Sequence, residues 1–217
     1  MNLEKARFNM VEQQIRTWMV LEPAALSALS TVEREKFTPT VYQALAYTDT
    51  EIPLAHGQTM LPPRIDARLM HDLHLQGHET VLEIGTGSGY LTALLAQRAQ
   101  RVISLELHAD LAQAAQAHLQ AAGVHNAEVR VANGATAVVA EAPFDAIVLG
   151  GSVHEVPVSL LQQLKVGGHL IAIVGEEPIM HATLFTRTGN QNWQTRELWD
   201  TAVPALEGFS KASSFHF

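Results

Sequence analysis

The stretch that most constrains the fold is VLEIGTGSGY, residues 81–90: an apolar run, a carboxylate near its end, and glycines at 85, 87 and 89 before a helix-favouring segment. A strand that gives way to a helix within a few residues must turn through backbone angles that glycine adopts without strain. Such a turn lets the backbone approach a ligand closely, with the first amides of the helix facing it. The spacing here is G-x-G-x-G, and Tyr90 follows. Dinucleotide sites place their third glycine three positions after the second, so a nicotinamide cofactor is disfavoured.

From Gly77 onward the chain repeats this unit. Apolar runs at TVLEIG, RVISLEL, AEVRVA, FDAIVLG and HLIAIVG alternate with helix-favouring segments, among them SGYLTALLAQRAQ, ADLAQAAQAHLQAAG and VSLLQQLKVGG. That alternation predicts an α/β fold with a mostly parallel, Rossmann-like sheet. The polar–apolar alternation of TLFTRTGNQNWQTRELWDT, broken at Gly189-Asn190, predicts an antiparallel C-terminal hairpin closing the sheet. Upstream, Leu3, Ala6, Met10, Ile15 and Trp18, and then Leu26, Leu29 and Val32, recur at helical spacing. Pro62 and Pro63 open a further helix with Ile65, Leu69 and Leu73 on one face. Residues 1–217 are read as one domain, with an N-terminal helical cover over 1–60 and a cofactor-binding sheet over 78–217.

Fourteen basic against 22 acidic residues give a net charge of −8. Such a surface repels phosphate backbones and anionic membranes, so neither nucleic acid nor a membrane is expected as a partner. With no cysteine there is neither a disulfide framework nor a thiolate metal site. The charged start MNLEKARFNM is unlike a signal peptide, and a cytoplasmic location is expected. His71, His74 and His78 lie close together without a carboxylate or thiol to complete a ligand set, so no metal is expected. Arg64 and Arg68 lie four apart and are read as solvated helix charges before substrate contacts.

Two further positions belong with the glycine turn. Glu106 ends the second strand about twenty residues on, where a carboxylate accepts both hydroxyls of a ribose. Asn133 and Gly134 end the third strand; the asparagine either faces an adenine or serves only as a turn residue. The terminal hairpin resembles the sheet ending of class I S-adenosylmethionine-dependent methyltransferases.

The chain resembles the protein-L-isoaspartate O-methyltransferase family nearly end to end. The resemblance is carried by MVEQQIR at 10–16, REKFTP at 34–39, AYTDTEIPLAHGQTM at 46–60, VLEIGTGSGYLTALLA at 81–96, APFDAIVLGG at 142–151, Val156-Pro157, QLKVGGHL at 163–170 and AVPALEG at 202–208. It implies S-adenosyl-L-methionine as cofactor, held by Gln58, Thr59, Glu83, Gly85, Thr86, Gly87, Ser88, Gly89, Glu106, Leu107, Asn133 and Gly134. It implies methyl transfer to a carboxylate of damaged aspartyl residues, with Thr59 and Leu61 on the acceptor side. Three departures fall on that side: Leu61 where the resemblance implies a serine, the loop GGSVHEVP at 150–157, and Ala202 in place of an aromatic residue. They leave open a diverged methyltransferase acting on another protein, peptide or small-molecule acceptor, and a cofactor-binding protein without transfer activity.

Overall fold

The computed structural model describes residues 2–210. A seven-stranded sheet runs through the molecule in the order β5-β4-β3-β6-β7-β8-β9, where β3 is Thr80–Ile84, β4 Arg101–Glu106, β5 Ala127–Val131, β6 Phe144–Val153, β7 Leu164–Glu176, β8 Ile179–Arg187 and β9 Trp193–Thr201. The strands from β5 to β7 pair in parallel, and β8 and β9 add antiparallel to the edge. The mostly parallel sheet with an antiparallel end is the architecture expected from the sequence. The winding reverses between β3 and β6, which opens a crevice at the carboxyl ends of the central strands.

Side chains alternate along β3: Val81 joins one buried layer, Leu82 and Ile84 the other. The first layer lies under helices α2 (Pro23–Thr31), α3 (Pro63–Asp72), α4 (Tyr90–Ala96) and α5 (Ala109–Ala121) and the irregular N-terminal segment. The N-terminus begins as α1 (Leu3–Asn9) and continues as a π-turn over Met10–Ile15. Met10 and Ile15, five residues apart, are both fully buried, and the wider turn brings both inward. A two-stranded ribbon, β1 (Ile52–Pro53) with β2 (Thr59–Met60), carries the cover across to the crevice.

One expected helix is cut short. VSLLQQLKVGG contains only the short α6 (Val158–Leu161), and β7 already begins at Leu164. The register between β6 and β7 slips between Phe144 and Ala146, so Lys165–Gly168 forms a bulge beside Asp145. Gly168 lies so close to its neighbours that a Cβ there would meet the Asp145 carbonyl oxygen at 2.9 Å. Gly167 and Gly168, the last two residues of that segment, belong to the bulge.

Among the described residues, no helix is long and apolar enough to cross a membrane.

Candidate functional site

Gly85, Gly87 and Gly89 take φ values of +91°, +53° and +88° between β3 and α4, so the backbone there swings through the left-handed region three times in five residues. The turn is pinned from below, where Thr86 and Ser104 share a hydrogen bond of 2.6 Å and Gly85 donates its N–H to the Leu105 carbonyl at 2.9 Å. Glu106, 5% exposed, meets the turn from β4. One carboxylate oxygen accepts the Gly87 N–H at 2.8 Å and the other accepts the His108 N–H at 3.1 Å.

A cleft opens above these groups. Gly85, Gly87, Glu106, Leu107 and Gly134 form its floor, while Gln58 and Thr59 reach it from the cover. A Cβ on Gly134 would strike Ile84 at 2.2 Å, and one on Gly150 would meet the Gly85 carbonyl oxygen at 2.7 Å. Backbone therefore lines the floor where side chains would fill it. Gly150 sits at a second register slip of β6 against β7, between Val148 and Ser152. Beyond it, Ser152 hydrogen-bonds the tail at Pro204 and Leu206, and Leu206 folds over Gly85.

Five of the expected cofactor residues, Glu83, Thr86, Ser88, Gly89 and Asn133, stand apart from the floor. Glu83 lies beneath the turn, fully buried, and accepts a hydrogen bond from Thr92 of α4. Burial pushes its carboxyl up to about 8, against the opposing hydrogen bonds of Thr92 and Ser104. Asn133 turns its side-chain oxygen back onto the Ala135 N–H at 3.0 Å, a turn-capping role. Ser88 lines a smaller cavity of about 30 Å³ beside the cleft, with Thr86, Leu61, Asp66 and Tyr90.

That smaller cavity rests on a buried network which the sequence did not single out. Arg34, with no exposure, donates to Asp66 at 2.7 Å and to the Leu61 carbonyl at 2.5 Å, and its guanidinium lies 4.5 Å from the Tyr90 ring centroid. Burial pushes the Asp66 carboxyl up to about 6 despite Arg34 beside it. The Leu61 side chain is 5% exposed and belongs to the core beneath the cover. Arg64 and Arg68 are not solvated helix charges. Arg64 pairs with Asp49 and lies over Trp18, and Arg68 pairs with Asp72, donates to the Trp18 carbonyl and lies over Trp199. His108, Glu207 and Leu206 complete the cleft rim. The motif AVPALEG contains Leu206 and Glu207, whereas nothing in the sequence singled out His108.

The family model of protein-L-isoaspartate(D-aspartate) O-methyltransferase matches residues 5–207. A protein-L-isoaspartate O-methyltransferase of Brucella anthropi is 42% identical over 208 residues, covering 95% of each chain. One from Syntrophus aciditrophicus is 41% identical over 184 residues, covering 85% of this chain and 84% of its own. A Plasmodium falciparum protein assigned to the same enzyme class, solved with S-adenosyl-L-homocysteine, superposes with a TM-score of 0.77 at 22% identity, covering 95% of this chain and 99% of its own. The chain belongs to the protein-L-isoaspartate O-methyltransferase family.

Proposed function

We propose that this chain uses S-adenosyl-L-methionine to methylate the free carboxylate of isoaspartyl residues in damaged proteins. The reading is carried by one arrangement: the cover segment Gln58–Thr59, part of the family pattern, closes the same cleft that the glycine turn and Glu106 form. The site fits the cofactor. Each Glu106 oxygen accepts only one backbone N–H, so each keeps a lone pair for a ribose hydroxyl, and the floor at Gly85, Gly134 and Gly150 has room only for backbone. When bound, the cofactor supplies an electrophilic methyl group on a sulfonium.

The chain's own residues have a positioning task. A carboxylate acceptor is already ionised at neutral pH, because carboxylic acids titrate near pH 4, and needs no general base. Two buried acids beneath the site are unsuited to one: burial holds Glu83 protonated beneath the turn, and Asp66 is spent on Arg34. What remains is to align the acceptor and exclude water, the task of the cover and the Leu206 tail.

Within this reading, Leu61 stands where the family carries a serine beside the transferred methyl, and Thr59 is the hydroxyl that the cover brings to the cleft. Leucine offers the acceptor no hydrogen bond, which favours slow turnover or an acceptor of different shape. The test is transfer of radiolabelled methyl to an isoaspartyl peptide beside its aspartyl twin. Base-labile label on the first alone supports the reading. Binding of S-adenosyl-L-homocysteine with no label on either peptide would overturn the acceptor and keep the cofactor.

A further inference from the structure

Two histidines from distant parts of the chain lie face to face at the rim of the cleft. The rings of His56 and His108 stack with centroids 4.1 Å apart and planes 2° from parallel. Each presents its Nε2 to a different carboxylate: His56 to both oxygens of Asp110 at 2.9 Å, His108 to Glu207 at 3.0 Å. Glu207 also accepts from the Gln58 side chain at 3.4 Å. Three segments therefore meet here: the cover loop at 55–58, the start of α5, and the tail after β9. His56 adopts φ +58° to make this contact, a left-handed conformation uncommon outside glycine.

The tail is anchored on both sides of Glu207. Leu206 folds over Gly85 and donates to the Ser152 carbonyl, and Gly208 packs so closely on Asn133 that a Cβ would meet its side-chain oxygen at 2.8 Å. Gln58, His108 and Glu207 all line the cleft. A ligand seated on the floor at Gly85 and Glu106 therefore lies against the rim contacts of Gln58, His108 and Glu207. The contacts that span the rim are half-exposed hydrogen bonds of the kind that open readily in water.

We propose that the His56–His108 stack, tied to the tail through Glu207, is a clasp that retains the cofactor in its cleft. His56, His108 and Glu207 are positioning residues for binding and release and take no part in the transfer itself. The inference rests on the cofactor reading given above. Because the clasp joins the tail to the cover, breaking it at either end has the same effect, and breaking both adds nothing.

The experiment is calorimetric binding of S-adenosyl-L-homocysteine, with dissociation rates by stopped flow, to wild type, His108→Ala, Glu207→Ala, the double variant and Glu207→Gln. Each alanine variant is expected to weaken binding and speed dissociation about 3- to 10-fold, with the double no worse than the weaker single. Glu207→Gln keeps an acceptor for His108 and should stay within about two-fold of wild type. In turnover, KM for S-adenosyl-L-methionine should rise while KM for the peptide holds. Alanine variants that lower Tm but bind within about two-fold of wild type, or single effects that multiply in the double, would overturn the clasp alone. A wild-type chain that binds neither cofactor nor its product would overturn the cofactor reading and the clasp with it.

Discussion

Arg34 and Leu61, 27 residues apart, are joined by a buried hydrogen bond of 2.5 Å from the guanidinium to the backbone carbonyl. The same guanidinium pairs with Asp66 and faces Tyr90, the residue after the glycine turn. One side chain thereby fixes the loop that carries Leu61 relative to the glycine turn.

Arg34→Met strands a buried acid and frees the Leu61 carbonyl. It should lower stability by about 3–5 kcal/mol, seen as a shifted denaturant midpoint. Adding Asp66→Leu should recover part of that loss, because no buried carboxyl is then left without a partner. Equal midpoints for wild type and Arg34→Met would show that the network contributes nothing.

Glu83 sets a pH dependence that can be isolated. The folded chain keeps the Glu83 proton to about pH 8, whereas the unfolded side chain releases it near 4.5. Across that window the unfolded state binds fewer protons, so stability falls as pH rises, by at most about 1.4 kcal/mol per pH unit. Asp66 acts in the same direction only up to about 6, and His71 and His169, held below 6.5 by burial, oppose it only below that value. Between about pH 6.5 and 8 the slope belongs to Glu83, and Glu83→Gln should flatten it in urea titrations. An unchanged slope in that variant would assign it elsewhere.

Glu106→Ala removes the acceptor for the Gly87 N–H and, on the proposed cofactor reading, for two ribose hydroxyls. Affinity for S-adenosyl-L-homocysteine should drop about 10- to 150-fold by calorimetry. Binding at wild-type strength would move the ribose away from β4.

Leu61→Ser trades core packing for a hydroxyl. Stability should fall by about 2–4 kcal/mol, since the side chain is buried. Turnover of isoaspartyl peptide should rise about ten-fold or more if the hydroxyl orients the acceptor. A loss of stability without any gain in rate would leave the acceptor to be oriented by other groups.

The legible parts of this chain are those whose physics is local. Gly85, Gly87, Gly89 and Glu106 belong to adjacent βα units, and period and turn chemistry reveal them within thirty residues. Arg34 sits in a charged triplet, REK, that reads like any solvated surface. Only the fold, by stacking α3 and α4 beside it, makes it a core residue. Arg68 is hidden for the same reason, its partner Trp199 lying on the far edge strand. Met10 and Ile15 do show in the pattern, yet five-residue spacing is ambiguous until a π-turn resolves it. The His108–Glu207 contact spans 99 residues and leaves no periodic trace at all.

The strap of Leu206 and Glu207 gives the site a birth order. Leu206 and Glu207 follow β9, so every residue of the floor is synthesised before the part of the rim that the tail supplies. A chain cut short before residue 206 would keep Gly85, Glu106 and Gly134 and lose the tail's share of the rim.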